Sequence, residues 1–301
     1  MNQKLRRVLP YYSAQAVLNT FQFLEKDYPK YLFHDKHTDM IFSAVPISSI
    51  KKYFSTQQEL KNILESSELD PLQEKLKSLI LTLSELSSLS TSAFGVTGSI
   101  LLNIHSPKFS DLDITIHGYE NSLKLKQMME NLFEKGHPDI TLLKKQTAER
   151  WQKDKSRRFG LSTADVKLLF KRKWNMGLFR NTRFSIHPIR NVNEIDEKFG
   201  DKSFIGRGRI EIQAKVIASQ ALFLPSKYKV SDVKIIRGEE VDNILEIVSY
   251  EGLFDAAVEK GESIKAKGQL ELVKDNKVGT EYYQVVIGSN KGGSEEYIAK
   301  I

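Results

Sequence analysis

Two aspartates one residue apart, Asp111 and Asp113, stand at the head of the alternating run "DLDITIHG". Side chains two apart on a strand share a face. The two carboxylates are therefore presented together, while Leu112, Ile114 and Ile116 point the other way into apolar packing. Like charges so close repel each other unless a cation lies between them. A hard divalent ion, Mg²⁺ or Mn²⁺, meets that need because it prefers oxygen ligands and keeps positions open for phosphate oxygens. Upstream stands the pair Gly98-Ser99, with eleven residues between Ser99 and Asp111. Gly98 lets the backbone turn tightly after a strand. Ser99 then opens a helix, where free N–H groups and a hydroxyl can hold a triphosphate. Together these residues predict a phosphate cradle facing a metal-binding strand. The plainer reading is an ordinary turn at Gly98-Ser99 and a strand-entry turn at Ser110-Asp111 with solvated acids.

The elements around them follow from periodicity. Residues 1 to about 90 read mainly as helix: "SAQAVLNTFQFLEKDYPKYLF" has helical spacing broken at Pro29. Ser55 with Gln58 forms a capping box, and Asp70 with Pro71 makes an N-cap followed by proline at the first helical position. "SAFGV" is a short apolar strand ending at the Gly-Ser turn, "SILLNIH" a short helix, and "NSLKLKQMMENLFEKG" an amphipathic helix stopped at Gly136. "DITLL" and "TRFSIHPIR" read as further strands, with helix-like "STADVKLLFKRKWNMG" before the second. From about Phe204 onward, strand-like runs separated by Gly, Pro, Asn and Asp turns predict a small β-barrel or sandwich.

The motif "GSILLNIHSPKFSDLD" resembles the Gly-Ser, spacer, Asp-x-Asp signature of the DNA polymerase β-like nucleotidyltransferase superfamily. The flanking text, from "PKYLFHD" through "VTGSILLNIH" to "MGLFRNTRFSIHPIR", is similar to archaeal predicted nucleotidyltransferases. The resemblance implies a nucleotidyltransferase palm, a mixed sheet flanked by helices, after the helical N-terminal arm. With the strand-like runs beyond, the expected fold is α+β, a nucleotidyltransferase domain over 1–200 and a β-rich, barrel-like domain over 201–301. The same resemblance implies that Gly98 and Ser99, with Ser110, bind the nucleotide and that Asp111 and Asp113 are catalytic metal ligands. It also implies ATP or another NTP as substrate. Catalytic members of the superfamily place a third carboxylate on a neighbouring strand. Here that strand, "TRFSIHPIR", offers His187 as the catalytic candidate, while Asp139 on "DITLL" has the right residue type.

Charge adds a partner class. The 301 residues carry a net charge of +7, yet fourteen Lys and Arg face only three acids between Lys144 and Arg190. Such a block suits a polyanion or, equally, a solvated helical face. Arg and Lys are interleaved there with Phe159, Trp174, Phe179 and Phe184, a mixture that suits RNA. Trp174 and Phe179 read better as core. Arg172, Lys173, Arg180 and Arg183 are the candidates for phosphate contact. The chain has no cysteine, which excludes disulfides and thiolate metal sites and fits a cytoplasmic protein. No apolar run is long enough to cross a bilayer, and the N-terminus lacks a secretory pattern. "FHDKHTD", with His34, Asp35 and His37, reads as an exposed polar loop, and "GSNKGG" as a hairpin turn. The expected activity is metal-dependent transfer of a nucleoside monophosphate from an NTP to a hydroxyl. The alternative is a non-catalytic nucleic-acid-binding protein built on the same scaffold.

Overall fold

A computed structural model describes residues 14–38, 40–288 and 295–301. The described residues begin with α1 (Ala14–Asp27), β1 (Leu32–Asp35), β2 (Met40–Ser43), α2 (Thr56–Glu65) and α3 (Pro71–Ser87). It continues through β3 (Phe94–Val96), the single turn α4 (Gly98–Leu101), β4 (Leu112–His117), α5 (Tyr119–Lys135) and β5 (Ile140–Thr141). Next come α6 (Lys145–Phe159), α7 (Thr163–Lys171), β6 (Met176–Phe179) and β7 (Thr182–Ile189). Six strands complete it: β8 (Lys202–Gln220), β9 (Ser226–Arg237), β10 (Ile244–Ser249), β11 (Ser263–Asp275), β12 (Thr280–Ile287) and β13 (Tyr297–Lys300). This is an α+β chain with mixed sheets, and no helix among the described residues is long and apolar enough to cross a membrane.

Backbone contacts divide the chain into two units. The first holds Lys52–Arg150 and Lys173–Asp196. The second holds the described residues up to Lys51, then Trp151–Arg172 and Glu197–Ile301. The sequence suggested one cut at residues 200/201. The contacts cut at 196/197, and they also group α1, the β1–β2 hairpin and α7 with the C-terminal strands.

In the first unit, five strands take the order β3-β4-β7-β6-β5, with β4 and β7 parallel and the other neighbours antiparallel. One face of β4 is apolar because Leu112, Ile114 and Ile116 alternate, and all three are fully buried. Helix α5 packs on β4 and β7, and α3 packs on α5. Leu72, Leu76, Leu79 and Leu83 give α3 a buried stripe at helical spacing. Asp70 caps that helix as expected, accepting from the backbone N–H groups of Leu72 (2.7 Å) and Gln73 (3.2 Å) while Gln73 reaches back. The Ser55 box is only half made: Ser55 accepts from Gln58 N, but the Gln58 amide turns to Asn62. The "DITLL" strand shrinks to Ile140–Thr141.

In the second unit, β12-β10-β9-β8-β11-β13 are neighbours, and β12 pairs with β11 as well. The pairings of β8, β9, β10, β12 and β11 thus return to their start. Among the described strands of this unit, only β10 and β12 run parallel. The 19-residue β8 bends through register shifts at three points along β9, as bulged strands do. Inside lie Ile210, Ile212, Val216, Tyr228, Val230, Ile247, Ile264, Leu270 and Val285. Phe159, Leu161, Val166 and Leu169, from the helical stretch 159–169, join the same core, which is why that stretch groups with the strands. The Tyr228 hydroxyl donates to Phe254 O (2.5 Å) and accepts from Ala257 N (3.1 Å).

Arg172 fastens the end of α7 to this unit. Its guanidinium donates to both oxygens of Glu262 (2.8 and 2.6 Å) and to Ala257 O (2.6 Å), and Lys300 reaches the same carboxylate at 2.7 Å. Chiefly through the Arg172 bonds, Glu262 is held down at about 2 against an ordinary 4.5. Its stabilisation is fully present above pH 4.5 and disappears as pH falls through about 2. The chain has two tryptophans, so in a Trp174→Phe background Trp151 alone reports the second unit. Glu262→Gln is expected to cost roughly 2–3 kcal/mol at neutral pH. Urea unfolding followed by Trp151 fluorescence should show that deficit narrowing from about pH 5 to about pH 2. A deficit constant across the range would refute the linkage.

Candidate functional site

The polar face of β4 is built where its apolar face cannot be. Asp111 stands just ahead of the strand and Asp113 is its second residue, both partly exposed. The parallel register sets Asp113 opposite Ser185 and Thr115 opposite His187, so the alternation of β7 puts Arg183, Ser185 and His187 on the carboxylate side. On the other flank, Thr97 N donates to Asp113 O (2.9 Å), which brings the Gly-Ser turn against the strand. Gly98 has φ +66°, and any Cβ there would run into the Asp113 carboxylate. Glycine is required at this position twice over, for its conformation and for the close approach. Ser99 lies in the turn α4, and the Thr97 side chain does not cap that turn. The expected strand, turn, helix and carboxylate strand are therefore adjacent in space.

A hydrogen-bonded chain crosses the site. Ser185 Oγ lies 2.6 Å from Asp113 Oδ1 and 2.7 Å from His187 Nε2. An ionised carboxylate only accepts, so the Ser185 hydroxyl donates to Asp113. The remaining contact then requires His187 to donate from Nε2 to Ser185 Oγ. In a neutral ring this tautomer leaves the lone pair on Nδ1. Burial pushes the Asp113 carboxyl up, but His187, whose Nε2 stands 4.0 Å away, the hydrogen bond from Ser185 and the charge of Arg183 outweigh it and hold the group below its ordinary value. Asp111 goes the other way. Burial raises it and the neighbouring Asp113 charge adds to the rise, against the opposing pull of Arg183, whose Nε is 3.9 Å away. Farther along β4, His117 Nε2 lies 3.1 Å from Thr115 Oγ1 and 3.2 Å from Thr56 Oγ1, and burial lowers its pKa.

The chain is 30% identical over 287 residues to the uncharacterized protein MJ1086 of Methanocaldococcus jannaschii, in an alignment covering 92% of this chain and 79% of that protein. It belongs to the MJ1086 family. No protein-family profile matches the chain, and no solved structure does.

In this member of the MJ1086 family, the other expected site residues are dispersed. Asp139 does not reach the site: it precedes β5, at the sheet edge beyond β7 and β6, where it accepts from Arg180 (2.9 and 3.1 Å). The strand beside β4 is β7, and it carries His187. Ser110 closes its own loop by accepting from Ser106 N (2.9 Å). Arg172 is committed to Glu262, Lys173 is buried, and Arg180 is paired with Asp139, so the four proposed phosphate contacts do not form one surface. Only Arg183 borders the carboxylates. Trp174 and Phe179 are core, as their spacing suggested. Asp35 accepts from His37 N (2.9 Å) and Thr38 Oγ1 (2.8 Å), which makes "FHDKHT" the turn of a hairpin. Asp39, most of "GSNKGG" and the basic N-terminus lie outside the described residues. Ser185 is the member that sequence reasoning passed over; its signal is its place two residues before His187.

Among the described residues, no three acids or histidines come close enough to enclose a metal ion. Two carboxylates on one face nevertheless fit Mg²⁺ in its usual form, held by one or two carboxylates and completed by substrate phosphates and water. Asp111 and Asp113 would be its holders.

Ser185→Ala removes one of the bonds that hold Asp113 down, so the Asp113 titration should move to higher pH. Carboxyl-detected NMR of the variant and parent checks this directly. An unmoved midpoint would mean that Ser185 does not set the charge of the site.

Proposed function

We propose that this protein is a metal-dependent nucleotidyltransferase, moving a nucleoside monophosphate from an NTP to a hydroxyl acceptor, with RNA the acceptor class we favour. The observation that carries this reading is the close seating of the Gly98-Ser99 turn on the Asp113 carboxylate, beside Asp111. A triphosphate lying over the opening of α4 would meet the uncapped N–H groups of the turn and the Ser99 hydroxyl. A Mg²⁺ or Mn²⁺ ion brought with it and held by Asp111 and Asp113 supplies charge neutralisation at the phosphates. The acceptor oxygen forms a bond to the α-phosphorus, and pyrophosphate leaves with the electrons of the bond that breaks. The hydroxyl proton passes to Nδ1 of His187, the free nitrogen of the tautomer that Ser185 fixes. His187 thus takes the base role that a third carboxylate fills in the superfamily that the motif resembles. The first unit is read as the palm, the closed ring of the second as a small β-barrel, and the protein as cytoplasmic.

A second reading, a nucleic-acid-binding protein that keeps the scaffold without turnover, is favoured by Arg183. Its guanidinium lies beside Asp111, where it can neutralise the acid without any metal. The strand ring supports the same reading. Its five strands pair in a closed circuit, and small five-stranded barrels are a form that takes oligonucleotides.

Incubation with each labelled NTP, Mg²⁺ or Mn²⁺ and total RNA separates the two. Label should enter RNA, and Asp111→Asn with Asp113→Asn should abolish both transfer and metal-dependent NTP binding. His187→Ala should lower transfer by about a hundredfold while NTP binding persists. Absence of incorporation from every NTP, with RNA binding retained, would install the second reading.

A further inference from the structure

Part of the basic block that stands out in the sequence is paired in the structure: Arg158 with Glu251, Arg172 with Glu262, Arg180 with Asp139, Lys155 and Arg157 with Asp154. Lys144, Lys145, Arg150, Lys153, Lys167 and Lys171 have no ion pair with a described residue. A second group of cations without counter-ions lies on the outward side of β8 and β9. Along β8, Ile210, Ile212, Ala214 and Val216 face the core, leaving Gln213, Lys215 and Ile217 on the outside. Along β9, Tyr228 and Val230 face inward and Lys227 and Lys229 outward. Past the kink at Asp232 (φ +53°), Lys234, Ile236 and Arg237 are exposed. The register sets Lys234 opposite Gln213, Lys229 opposite Ala218, Lys227 opposite Gln220 and Arg237 opposite Glu211, with Lys215 opposite Ser231 between them.

Five cations therefore share one outward ribbon, and none of them is ion-paired with a described residue. The nearest acids on the sheet are engaged: Glu211 by Lys265 (2.7 Å) and Tyr297 (3.0 Å), Glu246 by the Tyr282 hydroxyl (2.8 Å). Asp232 is the exposed exception. Uncharged Gln213, Ala218 and Gln220 stand opposite Lys234, Lys229 and Lys227 on β8, and Glu246 of β10 stands opposite Lys229, so a polyanion meets these cations without displacing a salt bridge. Alternate residues on a strand recur every ~6.6–6.8 Å, close to the separation of successive phosphates along an extended nucleic-acid chain. Two adjacent strands lie only ~4.8 Å apart, so the cations form a single track. One phosphate backbone fits it, whereas a duplex presents two rows across a groove about 12 Å wide. The exposed aliphatic groups Ile217, Ile236 and Leu245 offer packing for sugars and bases without rings to stack on.

We propose that the outward face of β8 and β9 binds single-stranded nucleic acid through its phosphates. Recognition is governed by charge and tolerant of sequence. It is independent of nucleotidyl transfer and is read without NTP or metal. The test uses the full chain and a fluorescein-labelled single-stranded RNA of about 12 nucleotides, followed by anisotropy over a range of salt. Lys227, Lys229, Lys234 and Arg237 changed together to Ala should weaken binding by about tenfold or more, and the slope of log affinity against log salt should become shallower by about 3, at about 0.7 per phosphate contact. The same four positions carried as Arg, Arg, Arg and Lys should keep the affinity, and circular dichroism should match the parent for both variants. Three results would each overturn the assignment. One is a larger loss from Lys153→Ala, Lys167→Ala and Lys171→Ala on α6 and α7. Another is equal or tighter binding of a duplex, or of a heparin fragment of equal charge. The last is a parent protein that binds no RNA even at low salt.

Discussion

The candidate site depends on one close approach, the backbone of Gly98 against the carboxylate of Asp113. A side chain at residue 98 would displace either the turn or the acid, so the spacing of the whole site hangs on a missing methyl group. That contact can be held because β4 is anchored from behind. Leu112, Ile114 and Ile116 are fully buried, which leaves Asp113 no freedom to slide along the strand or rotate away. The register with β7 then fixes Ser185 and His187 without any further device.

The two aspartates also show how one environment makes unequal groups from equal residues. Asp113 is hydrogen-bonded and sits below its ordinary pKa. Asp111 lacks such donors and sits above it, despite a guanidinium nearby. The first is a fixed anion to which other groups orient. The second is the more readily protonated partner, and its charge responds to whichever cation comes close. Arg183 and a divalent ion would compete for that role, which is why enzyme and binder differ here by so little.

Much of this was legible in the sequence because it is local. The alternation of "DLDITIHG" gave the two faces of β4, Gly98-Ser99 gave the turn, and Asp70-Pro71 gave the start of α3. What depends on partners distant in the chain was not legible. Asp139 had the residue type of a third carboxylate and His187 did not, and only the strand order puts β7 beside β4 and β5 at the edge. Arg172 resembled a free cation until Glu262, ninety residues on, proved to be its partner. Nor could charge counting along the chain find the β8–β9 track, because it is assembled across two strands from isolated lysines. The grouping of residues 159–169 with the C-terminal strands was hidden for the same reason: helical periodicity says that a face is buried, not against what.

That grouping bears on how the protein can be made. Asp113 and Ser185 are hydrogen-bonded neighbours, yet between them in the chain runs 151–172, which belongs to the other unit. During synthesis the carboxylates emerge first and must wait, without their serine and histidine, until that intervening segment has left the ribosome. The segment in turn carries Phe159, Leu161, Val166 and Leu169, whose covering strands are made later still. The first unit can close before the second exists, but only with an apolar loop hanging from it. No single cut therefore yields a clean half-molecule that keeps the site, and nascent chains ending between β7 and β8 are the ones that most need shielding from aggregation.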